Sequence, residues 1–238
     1  PEKDGAKNRI AFIKSEVLPA WGVTPNTEEL IETMHLKTLK TLNAHFSKYP
    51  YLFGGKPSIG DFGMIAPLYG HLGRDPVPLS LMQINAPRLF RWVERMNRLE
   101  PDIGEFENRS TTYLDNDEIP ETLIDILKHF AIDFIPESLA AYECVSSWLQ
   151  ENKDLPSGTE VSREVGKCKF QVDGVTIDAV AQPFRFYLMK RLQNQFDSLN
   201  AKDQEEVRQL LEQCNMDEVL DMRLSREMGR ANNLEVWL

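Results

Sequence analysis

"YLFGGKPSIGDF", residues 51–62, sets two aromatic residues, two glycines and a proline in the seven positions before Ser58, with Asp61 three positions beyond it. A Ser-x-x-Asp pair can close a helix start from both sides. The Ser58 hydroxyl can accept from the free N–H of Asp61, and the Asp61 carboxylate can reach back to the N–H of Ser58. The negative charge also suits the positive end of the helix. Behind the box, Phe62, Ile65, Ala66 and Tyr69 repeat at helical spacing. That stripe predicts a buried, central helix. Pro67 inside it removes the bond to Gly63 and predicts a bend.

The pattern extends upstream. Ile31, Met34, Thr38, Leu42, His45, Phe46 and Tyr49 fall on one helical stripe, widened by Leu30 and Leu39. Thr24-Pro25 reads as its N-cap and first helical position, and Pro50 with Gly54-Gly55 ends it. Before it, Ile10, Ile13 and Val17 recur at helical spacing. The opening "PEKDGAKNRIAF" has no initiator Met and no signal peptide, and reads like the interior of a longer protein.

The order of these pieces is a long amphipathic helix, then "YPYLFGGKPSIGDFGMIAPLYGHLGRDP", then "APRLFRWVERM". It resembles the C-terminal helical domain of glutathione transferases. The matching residues are Leu52, Gly54, Pro57, Ser58, Asp61 and Phe62, then Pro87, Trp92 and Met96, over roughly residues 6 to 100. The resemblance implies that Ser58 and Asp61 are a structural capping box and carry no chemistry. It also implies a second-substrate pocket for a small hydrophobic electrophile, with Phe12 and Trp21 as apolar wall residues, and a homodimer. Glutathione would be the co-substrate of the complete parent, and this chain needs no cofactor of its own. One departure is large. The family's glutathione-binding half is a thioredoxin-like domain, and a single βαβ unit takes about 30 residues. The 26 residues before the long helix read as helical. The chain is therefore not expected to conjugate glutathione by itself.

Composition narrows the partners. The 238 residues carry 27 Lys and Arg against 37 Asp and Glu, a net charge of −10. That argues against nucleic acid and anionic membranes, which need clustered cations. No apolar run reaches the length of a membrane span. Cys144, Cys168 and Cys214 are odd in number and far apart, which fits reduced thiols and a cytoplasmic protein.

The second half opens with the polar stretch "ENRSTTYLDNDE", which reads as a surface linker. Ile119-Pro120 starts a helix bearing Leu123, Ile124, Leu127, Phe130, Ala131 and Phe134, and Pro136 starts another with Leu139, Tyr142, Val145 and Leu149. "KCKFQVDGVTIDAVA" alternates on both sides of Asp173-Gly174, a favoured type I′ turn. The turn pairs Val172 with Val175, Phe170 with Ile177 and Cys168 with Ala179, all on one face. A helix with Phe184, Leu188, Leu192 and Phe196 follows. Asn200 and Asp203 then cap one carrying Val207, Leu210, Leu211 and Cys214, and residues 216–238 read as helical at first and irregular at the end. A similar extension follows the transferase domain in some larger bacterial relatives.

Other candidate sites read blandly. His35, His45, His71 and His129 lack ligand spacing, and no Cys pair has zinc spacing, so no metal is expected. Arg185, Lys190 and Arg191 read as a solvated face with local ion pairs, with an anion site as the alternative. Cys168 reads as an inert buried residue more than a reactive thiol. Taken from the residues alone, Phe12 and Trp21 read first as ordinary core aromatics. The expected fold is mainly α: a transferase-type helical bundle over residues 1–106, then a helical extension over 107–238 with one β-hairpin near 167–180. Its function reads as the second-substrate and dimerisation part of a transferase-like protein, and otherwise as a non-catalytic binding or scaffold module.

Overall fold

The computed structural model describes residues 2–98, 105–108 and 110–238. Its contacts divide the chain into two units, Glu32–Phe130 and the combined segments Pro1–Ile31 and Ala131–Leu238. In chain order the helices are α1 (Glu2–Phe12), which runs through a π-helical segment Ile13–Val17 into α2 (Leu18–Ala20), then α3 (Glu28–Phe46), α4 (Ile59–Gly70), α5 (Pro76–Asn85), α6 (Pro87–Met96) and α7 (Glu121–Glu151). Strands β1 (Lys167–Val172) and β2 (Val175–Val180) follow, then α8 (Phe184–Asp197), α9 (Ala201–Gln213), β3 (Met228–Ala231) and β4 (Leu234–Trp237). The mainly helical expectation holds.

In the Glu32–Phe130 unit, α3, α4, α5, α6 and the start of α7 enclose one apolar core. Phe46 stacks on Trp92 at 4.7 Å between ring centres. The α3 stripe is as expected at its C-terminal end, where Leu39, Leu42, His45 and Phe46 are buried, while Ile31 is exposed. The start differs. Thr24 to Thr27 form a turn in which the Thr27 hydroxyl donates to Gly22 O at 2.6 Å, and the helix begins only at Glu28.

The stripe predicted for α4 is rotated. Phe62 is 62% exposed and Tyr69 37%, while Asp61 and Leu68 are buried. Positions 61, 65 and 68 share a face, and position 62 lies about 100° around the helix from 61. The carboxylate of Asp61 is held inward by its donors, so the helix turns with it. The helix is continuous through Pro67.

The preceding loop is paired as well as punctuated. Gly54 bridges Tyr113, Gly55 N donates to Thr112 O at 2.8 Å, and Leu114 N donates to Phe53 O at 3.0 Å. A Cβ on Gly55 would lie 1.7 Å from the Ser110 carbonyl oxygen, so only glycine fits. Part of the stretch expected to be a free linker is therefore bonded to this loop; its Arg109 lies outside the described residues.

Pro136 does not divide α7. The helix runs from Glu121 to Glu151 through it, with Ile135, Ser138 and Ala141 buried around it. Burial on these positions outweighs the lost hydrogen bond, which costs about 3 kcal/mol in an exposed helix.

In the other unit the first hairpin has the expected register, with Val172 opposite Val175, Phe170 opposite Ile177 and Cys168 opposite Ala179. Asp173 and Gly174 take φ of 48° and 79°, as a type I′ turn demands. Cys168 joins the core built by α7 and α8. The N-terminal segment also covers this hairpin. A Cβ on Gly22, at φ 77°, would come 2.4 Å from the Ile177 methyl.

The end of the chain holds a second hairpin where irregular chain was expected. β3 pairs β4 across Asn232-Asn233, at φ 51° and 65°. Asparagine tolerates the left-handed region, so Asn-Asn serves where Asn-Gly usually stands. Trp237 is fully buried and stacks on Trp148 at 6.0 Å. Helix α8 is rotated relative to its predicted stripe. Phe186, Met189 and Gln193 are buried, whereas Phe184, Leu188 and Leu192 are 43%, 48% and 45% exposed. Gln193 Nε2 donates to Val219 O at 2.8 Å and Met222 O at 3.1 Å, fixing that rotation. The Asn200 cap forms as expected, accepting from Lys202 N and Asp203 N at 3.0 Å each.

Gly174→Val should destabilise the hairpin by about 1–2 kcal/mol, because a β-branched residue is penalised at positive φ. Hydrogen exchange checks this: amides 168–179 are expected to be protected in the parent and to open in the variant. Free-loop exchange in the parent would contradict the packed hairpin.

Candidate functional site

The capping box forms in both directions. Its carboxylate half does more than cap. Asp61 is fully buried, and its Oδ2 accepts from Ser58 N at 2.9 Å and from Ser58 Oγ at 2.8 Å. Its Oδ1 accepts from Leu52 N at 3.2 Å and from the Trp92 indole Nε1 at 3.0 Å. One side chain thus ties the loop, the α4 start and α6 together. A buried carboxylate with four donors has its acceptor capacity taken up in holding these elements together.

Polar anchors surround this hub. The Arg95 side chain is 2% exposed; its Nε and Nη2 donate to Pro50 O at 3.1 and 2.9 Å, and its Nη1 to Glu105 at 3.2 Å. Asn43 of α3 accepts from Arg88 N at 2.7 Å and so caps α6 from another helix. Fully buried His45 bonds Thr122 Oγ1 at 2.9 Å and Tyr51 O at 3.3 Å. The Tyr51 carbonyl can only accept, so Nε2 carries the proton and Nδ1 accepts from Thr122. Burial holds the imidazole below its ordinary value, against the opposing pull of the Tyr51 bond and the Asp61 charge.

Phe12 and Trp21 lie in the other unit. They are 48% and 43% exposed, so neither is a core aromatic. The Arg9 guanidinium lies 5.5 Å from the Phe12 ring centre. Trp21 follows α2, just before Gly22. Cys168 is buried, and burial first, then the nearby Glu137, pushes its thiol up to about 11, which leaves it protonated at neutral pH. Arg185 pairs with Glu137, and Lys190 with Glu227 at 2.8 Å, so both cations have carboxylate partners. Among the described residues no group of three or more His, Cys, Asp or Glu could hold one metal ion.

Sequence reasoning missed Tyr113, which sits inside the polar stretch. Open grooves of about 460 and 450 Å³ adjoin it. Its aromatic ring within "STTYLDND" was the one available signal.

Residues 27–100 match the family model of the glutathione S-transferase, C-terminal domain, and this segment is a helical domain of that type. No curated protein and no solved structure gives a significant match to the chain.

Ser58→Ala should cost about 0.5–2 kcal/mol, the usual range for a lost N-cap. Asp61→Ala should cost more, because each buried donor left unpaired adds about 1–3 kcal/mol. Thermal denaturation of both variants checks the order; equal, unshifted midpoints would remove the hub.

His45 predicts a pH dependence. Its folded pKa lies below 6.5, so between that value and 6.5 the unfolded chain binds more protons and stability rises with pH. The contribution is fully present above 6.5 and is lost progressively as the pH falls to the folded value. His35, also lowered by burial, acts in the same direction. Urea midpoints at about pH 7.5 and about pH 5.5 should differ more in the parent than in His45→Gln.

Proposed function

We propose that this chain is the helical part of a glutathione-transferase-like protein, lining the pocket of a second, hydrophobic substrate and taking part in homodimerisation. The reading rests on the family match over residues 27–100, supported by the capping box that carries the same resemblance. Glutathione binding would come from a thioredoxin-like domain in the complete protein. The described residues form two antiparallel hairpins, without the parallel sheet such a domain needs. Phe12 and Trp21 serve as the apolar walls, and their exposure leaves them free to meet a substrate. The electrophile is small and hydrophobic, and the protein works in the cytoplasm. No described helix is long and apolar enough to cross a membrane. The net charge of −10 disfavours nucleic acid as a partner.

A second reading, a non-catalytic binding or scaffold module, draws on the row of Phe184, Leu188 and Leu192 left exposed on α8. Apolar residues at i, i+4 and i+8 suit a partner helix.

The purified chain should show no glutathione-conjugating activity, and calorimetry should show weak or no glutathione binding. Tight binding would overturn this division of labour. In a longer protein that carries a thioredoxin-like domain, Phe12→Ala and Trp21→Ala should raise KM for the electrophile and leave KM for glutathione unchanged. A scaffold would show no turnover in that longer protein.

A further inference from the structure

The groove of about 450 Å³ beside Tyr113 lies wholly within the Glu32–Phe130 unit. Phe53, Ile59, Tyr113, Leu114 and Ile119 give it apolar walls. Its size falls in the range of about 300–1,000 Å³ common for small-ligand sites. Ile59, the first residue of α4, is 90% exposed at its edge. A large aliphatic group held in water at a fixed helix start is a ready apolar contact.

The charged lining is of one sign. Asp117 and Glu118 both face the groove, and neither forms an ion pair among the described residues. The Lys56 ammonium lies 4.4 Å from the Tyr113 ring centre, so two carboxylates against one ammonium leave an excess negative charge. The turn that presents the carboxylates puts Asn116 and Asp117 at φ of 55° and 56° in succession, a region both residue types tolerate.

We propose that this groove binds a small organic cation, an ammonium centre carried on an apolar or aromatic body. The apolar walls bury the body. The two carboxylates attract the charge, and the Tyr113 ring lines the groove beside them. The same carboxylates repel anions, glutathione among them, so the site is separate from the transferase reading and does not depend on it.

The probe is benzyltrimethylammonium, titrated into the full chain by calorimetry and by NMR, with benzoate as an anion of similar body. Saturable binding of the ammonium, weakened by added salt and absent for benzoate, is expected. Asp117→Asn combined with Glu118→Gln should weaken it about tenfold or more, the size of a lost charged contact. Tyr113→Leu should weaken it also. Both carboxylates are exposed, so the double variant should keep the parent's melting midpoint. No saturable binding, equal affinity for benzoate, or an unchanged affinity in the folded double variant would each overturn the proposal. The salt and benzoate comparisons on the parent decide it even if a variant fails to fold.

Discussion

The Asp61 carboxylate accepts hydrogen bonds from Leu52 N, Ser58 N, the Ser58 hydroxyl and the Trp92 indole. It does so with no exposed surface, where an unpaired acceptor or donor would cost about 1–3 kcal/mol. Loop, helix start and α6 must therefore come together in one geometry or leave several groups unpaired. The rest of the Glu32–Phe130 unit follows. Trp92, positioned by its indole bond, stacks on Phe46, and that contact brings α3 onto α6. The Arg95 bonds to Pro50 O and the Asn43 cap on α6 close the same junction from its other sides.

Polar anchors of this kind also explain where apolar patterning misled. Phe62, Ala66 and Tyr69 form a regular stripe, as do Phe184, Leu188 and Leu192, yet both stripes face outward. In α4 the inward residue is a carboxylate, and in α8 it is Gln193, whose amide holds the Val219 and Met222 carbonyls. A buried group with directional bonds fixes a helix's rotation, whereas apolar burial alone tolerates many. Helix α7 makes the converse point. Pro136 signalled a break, but burial on both sides of it keeps the helix whole.

The glutathione S-transferase C-terminal match covers residues 27–100, and its diagnostic residues do structural work. Outside that segment Phe12 and Trp21 near the start and the row on α8 stay exposed, while the groove beside Tyr113 takes Phe53, Ser58 and Ile59 from it. The Cys168 thiol is held protonated, and the His45 imidazole is buried against Thr122 and Tyr51.

What the sequence by itself determined is what short-range geometry dictates. The Ser58–Asp61 box, the Asn200 cap and the Asp173-Gly174 hairpin with its register each depend on residues a few positions apart. Tertiary structure decided whatever depends on distant partners. It turned α4 and α8, carried α7 through Pro136, and bonded Gly55 to Thr112. It also grouped the first 31 residues with the segment from Ala131 onward, where Gly22 lies against Ile177. A backbone carbonyl such as Val219 O or Ser110 O is the same group in every residue. The letters of a sequence therefore cannot say which side chain or glycine it will meet, and only the folded chain supplies that partner.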